Sequence, residues 1–332
     1  MTTRIGVVGA GALGFHHVRL LRQVAGAELV GFHDSNRERS AAAVGELGVQ
    51  SFASLEALLE EVEAITIAVP TPSHCQVARV ALERGCHALI EKPLAATLDE
   101  ADELLRIAER TGALVQTGHV ERFNRAVRAA LPYIDAPRFV ESDRLAPFNP
   151  RGADVAVVLD LMIHDIDLIL TLMPGGAGVA ELSAVGVPVL TGSVDIANAR
   201  VVFVSGAVAS ITASRVSRER LRKLRIFQRS GYLSLDLAAG TGEFYRMREG
   251  LDLRALAKLP QELESFVERI PLEAPDGEPL RLELESFLAA VQGRQPVVVS
   301  GREGRDALAV ALRIVSEIER TLPALAGPAR RA

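Results

Sequence analysis

The stretch Arg4-Ile5-Gly6-Val7-Val8-Gly9-Ala10-Gly11-Ala12-Leu13-Gly14 decides the fold. Ile5 to Val8 is an apolar run that reads as a buried strand. Glycines 9, 11 and 14 break it, and a helical apolar pattern follows through Val18, Leu20 and Leu21. This is G-x-G-x-x-G in the strand-turn-helix setting that gives it meaning. Gly9 is expected to allow the tight turn, Gly11 to let the backbone approach a pyrophosphate, and Gly14 to let helix pack on strand. The helix start at Ala12 and Leu13 offers free N–H groups and a positive dipole end to phosphates.

The next segment strengthens that reading. Ala27 to Phe32 reads as a second strand, and it runs out at Asp34. That is about twenty residues past Gly14, where an acidic side chain accepts hydrogen bonds from ribose hydroxyls. A carboxylate there repels a 2′-phosphate, so the expected cofactor is NAD rather than NADP. Removing it is expected to narrow the preference. Arg37 and Arg39 lie close by in sequence and pull the other way; Arg37 joins the cofactor-binding candidates.

At 332 residues the chain is long enough for two domains. A formal charge of −5 argues against a general nucleic-acid binder. No apolar run is long enough to span a bilayer. The chain enters a strand at once, so no signal peptide is expected, and the expected compartment is the cytoplasm. Cys75 and Cys86 read as small buried hydrophobes. The scattered histidines show no metal-ligand spacing. Of the 37 basic residues only Lys92, Lys223 and Lys258 are lysine. A lysine kept in so arginine-rich a chain is a candidate for work that a guanidinium cannot do.

Through residue 120 strands and helices alternate. Helices are expected over 37–47, from a Ser54 cap, over 74–84 and over 98–111 behind a Thr97 cap. Strands are expected over 49–52, 64–69, 87–90 and 114–117. That pattern means a parallel sheet with helices on both faces. From Glu121 the texture changes to strands at 139–145, 182–189, 196–204, 207–215, 224–228 and 232–237. These predict an open antiparallel sheet. One apolar helix, 154–172, interrupts it, and two more follow at 280–292 and 303–321. The charged segment 239–279 reads as an irregular excursion. The expected division is a dinucleotide-binding domain over 1–120 and an α+β domain over 121–332.

In an open parallel sheet, ligands bind beyond the carboxyl ends of the strands. Val69, Pro70 and Thr71, with His74 just after them, lie there. So do Glu91 and Lys92, the last strand with Gln116, and His119. Lys92 follows its strand directly. On the helix 154–172, Asp160 and His164 are one turn apart and share a face. A carboxylate one turn from an imidazole can orient the ring and stabilise its protonated form. Arg122, Phe123, Arg144 and Arg151 complete the substrate-binding candidates, the arginines because guanidinium forks suit phosphates and carboxylates.

At these residues the chain resembles the Gfo/Idh/MocA family of nicotinamide-dependent sugar and polyol oxidoreductases. The marks are Gly9 to Gly14, Glu91-Lys92-Pro93, and Asp160 with His164. The resemblance implies catalysis by Lys92, Asp160 and His164. Gly118 to Asn124, Asp160 to Leu168, Asp195 to Arg200 and Thr212 to Ser217 look like bacterial members associated with lipid A synthesis. That likeness implies oxidation of the 3-hydroxyl of UDP-N-acetylglucosamine to a 3-keto sugar nucleotide. Two other readings keep the fold: a dehydrogenase of a free sugar or inositol, and a non-catalytic NAD-binding regulator. A homodimer or homotetramer is expected, because Val202, Val204, Val208 and Ile211 read as an outward apolar sheet face.

Overall fold

The computed structural model describes residues 2–149, 155–173, 178–248 and 266–322. The chain forms two compact units. The first comprises Met1–Phe123 with Gly277–Ala309, the second Asn124–Asp276 with Val310–Ala332.

In the first unit the strands are β1 (Thr3–Val8), β2 (Ala27–His33), β3 (Ala64–Ile67), β4 (His87–Glu91) and β5 (Val115–Gly118). They form a parallel sheet in the order β2-β1-β3-β4-β5. Their near-continuous apolar sequences suit a sheet covered on both faces. Helices α1 (Ala12–Leu21), α2 (Arg37–Leu47), α3 (Leu55–Leu59), α4 (His74–Glu83) and α5 (Leu98–Thr111) connect them. Local chemistry starts several of these. Asn36 accepts the Arg39 N–H, Ser54 that of Ala57, and Thr97 forms a capping box with Glu100. Residues 49–52 make one isolated bridge, Phe32 to Ser51, rather than the expected strand. Cys75 and Cys86 are buried free thiols, and burial pushes Cys86 up to about 12.

This unit is not continuous in sequence. Helix α8 (Pro279–Val291) sends Leu284, Phe287 and Leu288 into the cluster holding Ile5, Val7, Leu20 and Leu21. The start of α9 (Gly301–Thr321) lies against β5, where a Cβ on Gly304 would stand 2.1 Å from Thr117 Oγ1. The expected block 121–332 is therefore split. The first sheet has an apolar face that its own sequential helices leave uncovered, and the late segment covers it.

The second unit contributes β6 (Phe139–Leu145), β7 (Val179–Val187), β8 (Ile196–Phe203), β9 (Val208–Ser214), β10 (Leu221–Gln228), β11 (Gly231–Asp236), β12 (Thr241–Met247) and β13 (Val267–Pro271). Their order is β13-β12-β11-β10-β6-β9-β8-β7. Every pairing is antiparallel except β6 with β9, which is parallel, so the sheet is mixed. Residues 241–247 and 267–271 pair as strands, correcting the expected irregular excursion. Their charges, such as Glu243 and Arg269, alternate with buried Gly242 and Phe244, and that half-polar texture masked the strand period. Helix α6 (Arg125–Ala130) and helix α7 (Ile163–Leu172) also belong to this unit.

One face of the second sheet is buried through Val140, Ala199, Val201, Ile211, Ile226 and Leu233. Ile211 thus points inward, contrary to the expected outward set. Val204 is 77% exposed, and Val202 and Val208 are half-buried. On the face opposite to the buried one, four rings stand across four strands. Phe139 and Phe227 stack at 5.6 Å, Phe227 and Tyr232 at 4.8 Å, and Tyr232 and Tyr245 at 5.4 Å between centroids.

Candidate active site

The glycine-rich turn has the shape its sequence implies. Gly9 takes φ +91°, and a Cβ there would stand 2.7 Å from the Ala68 carbonyl oxygen. A Cβ on Gly14 would stand 1.8 Å from the Gly9 carbonyl oxygen, so helix and turn touch only because Gly14 has no side chain. Gly11 differs: a Cβ there would come no nearer than 3.8 Å to any protein atom. Its bareness serves nothing inside the protein, and it matches the glycine that lets a pyrophosphate approach. Ala12 and Leu13 are exposed at the start of α1, which has no side-chain cap.

Beyond the carboxyl ends of β1, β2 and β3 lies a cavity of about 600 Å³. It opens between β1 and β3, where the strand order reverses. Gly9, Gly11, Asp34, Arg39, Val69 and Pro70 help line it. Asp34 accepts the Ala10 N–H at 2.7 Å and the Asn36 N–H at 2.8 Å. Arg39 Nε lies 2.9 Å from the same carboxylate. The arginine in the cavity is thus Arg39; Arg37 is exposed and does not line it. A walled cavity, bare glycine, uncapped helix end and ribose-level carboxylate together fit a dinucleotide.

Thr71 lies in the short turn Thr71–Ser73 that leads into α4. His74 is buried, with Nδ1 2.8 Å from the Pro93 carbonyl oxygen and Nε2 2.9 Å from that of Val69. Burial pulls its pKa down against those two carbonyls. The ring straps the end of β3 to the segment after Lys92. Gln116 is fully buried and donates to the Glu283 carbonyl at 3.4 Å, facing α8.

Lys92 follows β4 directly and is half-buried, and its peptide bond to Pro93 is cis. Its N–H donates to Glu91 Oε2 at 3.3 Å, and Glu91 Oε1 lies 3.1 Å from Nε2 of buried His17. A Cβ on Gly118 would stand 2.9 Å from that carboxylate, so the glycine makes room for Glu91. Sequence reasoning passed over His17. Its signal was a histidine on the apolar side of α1. His119 and Phe123 are buried. Arg122 reaches Glu303 at 2.8 Å. Burial raises the Glu303 pKa, but Arg122 and Ser300 outweigh it and hold the group below its usual value.

In the second unit the chain enters α7 through a π-helical turn, Val158–Met162. A π turn inside a helix often marks a functional site. Asp160 lies in that turn and His164 just beyond it. Both are half-buried, whereas Val157, Val158, Met162, Ile163 and residues 165–169 are buried. They are the titratable groups of this segment that keep part of their surface exposed, beside half-buried Leu159 and Leu161. Arg144 gives its guanidinium fork to Asp165, at 2.6 and 3.0 Å, and both groups are buried. That geometry ties β6 to α7 beside His164. Arg151 lies outside the described residues.

A second buried carboxylate secures the approach to this helix. Asp195 accepts the N–H groups of Val189, Leu190 and Thr191 and the Thr191 hydroxyl. Arg215 lies 3.8 Å from Asp195 and donates to the Val155 carbonyl at 2.6 Å. Burial raises the Asp195 pKa, but the donors outweigh it and hold it at about 2. A depressed carboxylate adds stability above its unfolded pKa, and that stability is lost as pH falls through the folded value. Asp195→Asn should therefore cost about 2 kcal/mol at pH 7 and little near pH 2. Chemical denaturation at both pH values checks this.

Two profiles cover most of the chain. Residues 3–119 match the oxidoreductase family with NAD-binding Rossmann fold, and residues 134–234 match the GFO/IDH/MocA C-terminal domain. This chain belongs to the GFO/IDH/MocA family. A relative from Acidithiobacillus ferrooxidans, UDP-N-acetylglucosamine 3-dehydrogenase, is 38% identical over 95% of this chain and 97% of its own. A solved structure of that enzyme superposes with a TM-score of 0.88 at 37% identity, covering 97% of this chain and 99% of that one. The scyllo-inositol 2-dehydrogenase (NAD(+)) of Bacillus subtilis is 31% identical over 64% of this chain and 68% of its own. Levoglucosan dehydrogenase, solved with NADH and levoglucosan, shares the fold at TM-score 0.83 and 17% identity, covering 96% and 98% of the two chains. This GFO/IDH/MocA member is thus an NAD-dependent oxidoreductase of the sugar dehydrogenase kind. Among its described residues no helix is long and apolar enough to cross a membrane, and no acid, histidine or cysteine cluster is disposed to hold a metal.

Proposed function

We propose that the protein oxidises the 3-hydroxyl of UDP-N-acetylglucosamine to a 3-keto sugar nucleotide. The observation that carries this reading is the 38% identity with the Acidithiobacillus enzyme over nearly the whole of both chains. When bound, NAD supplies the acceptor for the hydride that leaves the sugar carbon. His164 takes the hydroxyl proton as the carbonyl forms, and Asp160 orients the ring and stabilises its charged form. The Lys92 ammonium stabilises the developing alkoxide. Glu91 holds the Lys92 backbone, while Arg144 and Asp165 hold α7. Arg122 and His119 remain substrate-binding candidates, Arg122 for the diphosphate. The product is a substrate for amination, which accords with a cytoplasmic role in lipid A synthesis.

A mass-spectrometric screen of sugar nucleotides with protein and NAD tests the reading. Loss of two mass units from UDP-N-acetylglucosamine is the expected result. Turnover of inositol or a free sugar instead would replace the substrate assignment. NAD binding without turnover of any sugar would favour a regulator.

The protein also works as a homodimer or homotetramer in this reading. The ring ladder Phe139, Phe227, Tyr232 and Tyr245, with exposed Val204, supports an interface on the open sheet face. Sedimentation at micromolar concentration should give an oligomer, and Tyr232→Glu should weaken it. A wild-type monomer contradicts the assignment.

A further inference from the structure

The stretches Asp195 to Arg200 and Thr212 to Ser217 have no part in the chemistry proposed above. Each contains one buried charge, Asp195 and Arg215. Asp195 immediately precedes β8, and Arg215 immediately follows β9. The Arg215 N–H donates to the Asp195 carbonyl at 2.9 Å, so the two residues continue the β8–β9 ladder. Their side chains are 0% and 4% exposed, Asp195 first. From there the ladder end grips the chain just ahead of the π turn. Arg215 Nη2 donates to the Val155 carbonyl at 2.6 Å. The Val157 N–H donates to the Val194 carbonyl at 2.9 Å. Ala156 is thus pinned on both sides. Its own carbonyl accepts the N–H groups of Leu159 at 3.0 Å and Asp160 at 3.3 Å. The path from Arg215 to the Asp160 backbone is therefore one guanidinium bond, a single residue of chain and one helical bond.

A π turn holds one residue more than an α turn, so its presence sets the phase of what lies on either side. Asp160 lies inside the turn, and His164 lies beyond it on α7. On the α7 side, the Arg144 fork on Asp165 holds the helix. On the other side, Arg215 and Val194 hold Val155 and Val157. With both sides held, the extra residue stays in the turn. Released at Val155, the turn can relax towards α geometry. Losing the extra residue rotates the upstream side by about 100° relative to α7. Asp160 would then shift against His164. We propose that Arg215 is a positioning residue for the Asp160–His164 pair, holding the π turn in phase through the Val155 carbonyl, with Asp195 as its counter-charge. A misplacement of about 1 Å at a reacting centre costs on the order of 10²-fold in rate. An enclosed arginine can therefore govern kcat from behind the helix.

The inference rests on the reading of Asp160 and His164 as the catalytic pair, not on which sugar is oxidised. Arg215→Ala should lower kcat by about 10²-fold, with NAD affinity and KM for the sugar close to wild type. Arg215→Lys, which keeps a charged donor on a long stem, should recover most of that loss. The deciding measurement is a double-variant cycle with His164→Ala. Because Arg215 acts through the pair, adding Arg215→Ala to His164→Ala should cost little further kcat. A residue that only stabilises the fold would cost the same factor in both backgrounds, and that result overturns the proposal. Arg215→Met keeps the stem without the donors, and it repeats the cycle if the alanine variant folds poorly. Hydrogen–deuterium exchange gives a readout without turnover. In Arg215→Ala the Leu159 and Asp160 amides should exchange at least about tenfold faster, with those of Leu168 to Leu172 unchanged. Unaltered exchange at Leu159 and Asp160 also overturns the proposal. Wild type that turns over no sugar, or turnover indifferent to His164, would instead overturn the catalytic reading, and exchange would still decide the anchoring.

Discussion

Replacing His164 with alanine should lower kcat by about 10²–10⁴-fold, the usual worth of a positioned general base. NAD affinity should hardly change, since the cofactor-binding candidates all belong to the first unit and His164 to the second. The loss follows from where the ring stands. Its flanking residues Ile163 and 165–169 are buried in packing, whereas His164 and Asp160 keep part of their surface exposed. With the imidazole gone, no equally basic group replaces it at that position of the helix. Asp160→Asn should be intermediate, because the ring remains but loses the charge that favours its protonated form. That penalty should shrink at high pH, where solvent base drains the proton without help. Single-turnover kinetics across pH, paired with cofactor titration, separates these outcomes. An alanine variant with near-normal kcat would remove His164 from the chemistry.

The second large effect is expected at Lys92. Lys92→Arg keeps the charge but replaces a compact ammonium with a planar, longer group that cannot give up its proton at neutral pH. Loss of an aligned donor to a developing oxyanion costs about 10²–10³-fold in kcat, and a similar fall is expected here. The backbone is fixed: His74 straps the Pro93 carbonyl, and Glu91, seated by Gly118, holds the Lys92 N–H. The longer guanidinium therefore starts from the same Cα and places its charge beyond where the ammonium stands. A structural lysine in so arginine-rich a chain should tolerate the change, so near-wild-type kcat would reduce Lys92 to an ordinary loop cation.

Much of this was legible in the chain because the relevant signals are local. The Gly9 to Gly14 turn, the Thr97 cap and the apolar strands of the first unit each declare themselves within about ten residues. So did the placement of Lys92 at a strand end and the shared face of Asp160 and His164. What escaped the sequence is what depends on distant partners. The parallel pairing of β6 with β9 leaves no mark on either strand. Arg144 reads as a free anion-binding fork until Asp165, twenty-one residues on, is seen to fill it. His74 reads as a cofactor contact, but its ring turns to two carbonyls. The π turn at Val158–Met162 is invisible because its residues would equally suit an ordinary helix. Arg39 rather than Arg37 faces the cavity because the two lie about 200° apart around the helix, and sequence spacing alone does not say which side the sheet edge takes.

The late return of Gly277–Ala309 to the first unit has a consequence for how the protein is made. About 150 residues separate Phe123 from that segment, and a ribosome adds roughly 5–20 residues per second. For roughly eight to thirty seconds, then, the emerging nucleotide-binding half has its strands but lacks Leu284, Phe287 and Leu288 to cover them. During that interval the nascent chain offers a sticky apolar surface to the crowded space around the exit tunnel. Holding factors that shield such surfaces should engage this protein early and let go only once α8 has emerged. A translation stall between these two points would leave an aggregation-prone fragment rather than a working half.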